Sequence, residues 1–105
     1  MTDNDKSLEQ RLRDLQAHVD RVQEAQREIE SELAGLDHQS RRVGERVERG
    51  EHSDELERER HRIADGREAS RRDREANGEQ LASLRREREE LEQRLQQLKA
   101  GSTRQ

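Results

Sequence analysis

Leucine, valine and isoleucine recur along this chain at alternating spacings of three and four. In the first half the series runs Leu8, Leu12, Leu15, Val19, Val22, Gln26, Ile29, Leu33, Leu36, Ser40, Val43, Val47. Spacings of three and four alternate only where a helix presents one face to a partner, so this is the a/d signature of a heptad abcdefg. With Leu8 as a d position, Leu12 is a, and the phase holds to Val47. The second half carries d positions at Leu56, Ile63, Ser70, Asn77, Leu84, Leu91 and Leu98. Its a positions are Arg60, Arg67, Arg74, Leu81, Arg88 and Leu95, so that side of its stripe is largely arginine.

The two phases do not join. The first places a d residue at Gly50 and the next at Glu57, whereas the second places d at Leu56, so one residue is missing. A continuous coiled coil would have to overwind sharply to absorb it. A turn at Gly50, Glu51, His52 and Ser53 is the simpler account. Gly50 can enter the left-handed conformation that stops a helix, and Ser53 or Asp54 can cap the next one, with acidic residues following in its first turn. At the outer ends Ser7 to Gln10 fits a capping box, and Gly101 follows Lys99 as a terminator. The expected organisation is a frayed tail over residues 1–6 and a single helical domain over 7–101, then a second frayed tail over 102–105. Within the domain a helix over about 7–49 is followed by a turn at 50–53 and a helix over about 54–99.

Folding the chain at that turn and setting residue n opposite residue 103 − n places every a position on a d position, as an antiparallel pair requires. Leu8 meets Leu95, Leu12 meets Leu91, Val19 meets Leu84 and Val47 meets Leu56. Polar Gln26 then falls opposite polar Asn77, and two amides can satisfy each other and fix the register at some cost in stability. Arg60, Arg67, Arg74 and Arg88 fall opposite Val43, Leu36, Ile29 and Leu15. There each aliphatic stem can cover an apolar partner while the guanidinium reaches solvent or a flanking carboxylate. A parallel homodimer would stack these arginines on their own copies. The expected fold class is therefore all-α, an antiparallel two-helix coiled-coil hairpin. The alternative is a long straight helix in an antiparallel coiled-coil dimer, which makes the same contacts between chains. The half near the turn, with its arginines, Ser40 and Ser70, is expected to be the weaker one.

Composition agrees with a narrow seam. Only 25% of the 105 residues are apolar, 46% are charged, and there is no Phe, Trp, Tyr, Cys or Pro. An ordinary core cannot be built from that, but a coiled coil needs only two apolar positions in seven. The net charge is −4, from 22 basic and 26 acidic residues, a balance that argues against disorder. No signal peptide or apolar span is visible, so a cytoplasmic location is expected by default and membrane partners are not.

Candidate chemistry is sparse. His18, His38, His52 and His61 show no helical metal spacing, and no phosphate loop or nucleophile motif occurs. No cofactor and no enzymatic activity are expected. The densest basic run holds Arg58, Arg60, Arg62, Arg67, Arg71, Arg72 and Arg74 against four acids, a strip that could contact phosphates. Interspersed opposite charges and the lack of aromatic stacking residues instead favour a solvated, ion-paired face. The sequence thus points first to a non-enzymatic coiled-coil interaction protein: an adapter, spacer or oligomerisation module, either a monomeric hairpin or a homodimer. A weak nucleic-acid-associated protein and a self-assembling structural rod are the alternatives.

Overall fold

In the computed structural model the backbone is described for residues 3–103 and the side chains for residues 6–101. Two helices account for the fold, α1 over Asp3–Glu48 and α2 over Asp54–Thr103. The chain is an all-α helical hairpin, and the straight-helix alternative is set aside because the chain breaks between them.

The break has the expected chemistry. Gly50 adopts a φ of 87°, in the left-handed region that glycine enters without strain. Its amide donates to the Val47 carbonyl at 3.0 Å, and the Glu51 amide donates to the Arg46 carbonyl at 3.1 Å. These are the two bonds of a Schellman cap, which satisfy carbonyls that α1 would otherwise leave open. Ser53 then caps α2. Its hydroxyl oxygen accepts from the Leu56 amide at 3.0 Å, and its carbonyl accepts from the Glu57 amide at 3.1 Å. Asp54, Glu55 and Glu57 occupy the first turn of α2, where the helix dipole favours negative charge.

The outer ends differ from the sequence reading. α1 already includes residues 3–6, so Ser7 lies inside the helix and does not cap it. α2 runs past Gly101 to Thr103. A glycine weakens a helix without ending it unless a left-handed cap closes behind it, and only Gly50 among the glycines has positive φ. The expected tail segments Met1–Thr2 and Arg104–Gln105 lie outside the described residues.

Contacts divide the chain into two compact units, residues 1–24 with 78–105, and residues 25–77. The first has a core of Leu8, Leu15, Val19, Val22, Leu84 and Leu91, with Leu12, Leu81 and Leu95 packed against it. All nine are a or d residues. The second unit has a smaller core of Val43, Leu56 and Ile63, backed by Val47, beside the turn. Only the layer nearest the turn, Val47 against Leu56, is apolar on both helices; in the next two Val43 faces Arg60 and Ile63 faces Ser40. Between Gln26 and Ser40 on α1, and between Gly66 and Asn77 on α2, Leu33 and Ser70 are buried while Ile29 and Leu36 are only half-buried.

Candidate functional site

The unit formed by residues 25–77 holds the amide pair, the turn and the basic run singled out from the sequence. The Asn77 amide nitrogen donates to Gln26 Oε1 at 2.7 Å, across 51 residues of chain. Gln26 in turn donates to Glu30 Oε1 at 3.1 Å. Both amides are half-buried, where an unmet polar group is costly and a mutual bond removes that cost.

The a-position arginines behave in two ways. Arg67 crosses to α1. Its Nε lies 2.9 Å from Asp37 Oδ1, and its Nη1 donates to Ser40 Oγ at 3.2 Å. The Nε–Oδ1 approach is an ion pair without hydrogen-bond alignment, since both atoms are buried and neither has a hydrogen-bond partner. In the other unit, Arg88 similarly donates from Nη1 to Gln16 Oε1 at 2.9 Å. Both thus reach the residue that follows their apolar partner on α1. Arg60 and Arg74 do not. The position that follows Val43, the partner of Arg60, is Gly44, which offers no side chain, and Arg60 pairs within α2 with Glu57 at 3.6 Å. Arg74 is exposed.

The seven arginines from Arg58 to Arg74 do not form one strip. At roughly 100° of rotation per residue, Arg60, Arg67 and Arg74 fall on the seam, Arg71 beside it and Arg62 on its flank, while Arg58 and Arg72 face the opposite way. Several are also engaged. Arg72 donates to Glu68 at 2.7 Å, a bond that raises its pKa above the usual arginine value, and Arg58 donates to the Asp54 carbonyl at 3.3 Å.

Two open grooves flank the seam near the turn. One is lined by Ser40, Gly44, Arg60, His61, Ala64 and Arg67 among others. The other has Leu36, Val43 and Ile63 on its floor, with Arg42, Arg46 and Arg62 around it against one carboxylate, Glu59. Sequence reasoning missed Arg42 and Arg46 because it looked for density along one helix. The signal was the flanking g and c positions of both. Arg46 also ties down the turn. Its Nε lies 2.6 Å from Glu51 Oε2, and the hydrogen bond and then the charge of that carboxylate raise its pKa. Of the turn residues, His52 is exposed. Among the described residues no group of three or more His, Asp or Glu is placed to hold a metal ion, and no helix is long and apolar enough to cross a membrane.

No protein-family model matches this chain, and neither does any curated protein or solved structure.

Proposed function

We propose that this chain is a non-enzymatic coiled-coil interaction protein, an adapter, spacer or oligomerisation module whose working surface is its helices. The observation that supports this reading is the uneven seam. Each unit has its own apolar cluster, and the unit formed by residues 25–77 also has a stretch where Gln26, Asn77, Ser40, Ser70 and Arg67 occupy core positions and Leu36 and Ile29 stay half-exposed. An under-filled seam keeps affinity for a further helix, and heptad surfaces recognise helices by apolar anchors with charged flanks. The grooves are open surface depressions that would leave a reacting group in water, which argues against catalysis.

The test is a display selection of helical peptides against the intact chain. Enrichment of heptad-patterned binders is expected. Filling the polar layers with Ser40→Leu and Ser70→Leu should stabilise the hairpin and weaken those binders. Enrichment of peptides without heptad pattern, or of none, sinks the reading. The nucleic-acid alternative has less support, because the arginines divide between faces and several are held in ion pairs.

A further inference from the structure

We propose that the c and g positions of α1, in the unit formed by residues 25–77, are a docking surface for a second copy of this chain. The inference rests on the interaction-module reading and names its partner. Counting from the d residues Ile29, Leu36 and Val43, the c row of α1 is Glu28, Gly35, Arg42 and the g row is Glu32, Gln39, Arg46. All six are exposed. Each row passes from an acid through an uncharged residue to a base at seven-residue intervals. Seven residues are nearly two full turns, so each row stays on one face.

Such a face is complementary to itself. Laying two copies of α1 antiparallel, residue n against residue 74 − n, sets Glu28 against Arg46, Glu32 against Arg42 and Gly35 against Gln39. Two-fold symmetry then repeats every pairing, as an isologous interface demands. Parallel, in-register copies would instead set like charges together.

The hairpin leaves these groups available. The side chains of Glu28, Glu32 and Arg42 make no ion pair or hydrogen bond among the described residues. Arg46 is bound to Glu51 and lies 3.8 Å from Glu59 of α2, yet its side chain is 49% exposed. At the centre of the face, a Cβ on Gly35 would meet nothing within 4 Å, so a second backbone can approach there. Gly66 of α2 lies against Leu36, where a Cβ would come within 3.4 Å of the leucine side chain, and the half-buried Leu36 supplies apolar surface for a partner to cover. Arg62 adds to the basic end of the face, since it lines the same groove as Arg42 and Arg46.

The experiment is sedimentation of the wild type, Glu32→Arg, Arg42→Glu and an equimolar mixture of the two variants, at low and high salt. Circular dichroism of each confirms that it is folded. Glu32 and Arg42 are exposed and unpaired in the hairpin, so neither change should disturb it. The wild type is expected to dimerise with a dissociation constant that rises with salt. In either variant alone, two facing pairs per dimer become like-charged, and the dissociation constant should rise roughly tenfold. In the mixture every pair is again opposite, and dimerisation should return to within about threefold of the wild type. A wild type that stays monomeric overturns the proposal. So do variants that dimerise as the wild type does, or a mixture no tighter than its components. Peptide binding that persists while any of these results holds would leave the interaction-module reading standing and remove only this interface.

Discussion

At the residue scale, a few side chains decide where the chain turns and how its helices align. Gly50 is the only residue described with a left-handed backbone, and a Cβ there would meet no neighbour. Gly50→Ala should therefore lose only backbone energy, about 1–2 kcal/mol, read as a lower urea midpoint. Ser53→Ala removes the α2 cap and should cost about 1 kcal/mol. For the amide pair, Asn77→Leu alone leaves the Gln26 carbonyl without its 2.7 Å donor and should destabilise by about 1–2 kcal/mol. Adding Gln26→Leu should recover that loss or more, while the double variant sediments as several species because nothing polar holds the register. Recovery with one uniform species would show that this pair does not set the register. These residues were legible in the sequence because each is an exception at a forced position: a glycine where the heptad phase breaks, and two amides that a single pairing rule brings together.

At the scale of elements, the heptad phase carried the helices but not their ends or the distribution of strength. The one-residue offset between the two phases revealed the turn. The outer boundaries were not legible, because residues 3–6 and Gly101 carry no heptad signal and helix ends are set by a few weak contacts. The polar layers were visible and fall in the half near the turn; the packing of Val43, Val47, Leu56 and Ile63 into one compact set beside the turn was not. Native-state hydrogen exchange should accordingly show the slowest amides beneath the two clusters and faster exchange over about residues 29–40 and 66–74. Fast exchange next to the turn instead would contradict this ordering. The layers of the other unit are apolar except for Arg88 opposite Leu15, and Leu91→Ala, at 4% exposure, should cost about 2–5 kcal/mol in thermal or urea unfolding. The directions in which the arginines of the basic run face were not legible from their density alone. Linear density ignores the rotation of roughly 100° per residue, which sends Arg60, Arg67 and Arg74 to the seam, Arg62 to its flank and Arg58 and Arg72 away from it.

At the scale of the whole molecule, everything depends on the chain meeting itself rather than a neighbour. With a net charge of −4 and its arginines divided between faces, fluorescence anisotropy with labelled DNA and RNA should show no salt-sensitive binding. The central claim is that α1 and α2 pack within one chain, and a distance measurement on a spin-diluted sample tests it most directly. The chain has no cysteine, so Ser31→Cys and Arg71→Cys, both exposed, place one label on each helix at nearly facing positions. Helix axes pack about 8–10 Å apart, so two labels in a hairpin should lie roughly 20–30 Å from each other. Forty residues of straight helix at 1.5 Å each would separate them by about 60 Å. Dilution with excess unlabelled chain removes distances between chains. A short distance that survives dilution is the result expected of the hairpin. A short distance that vanishes, leaving only the one near 60 Å, would mean that the helices pair between two extended chains.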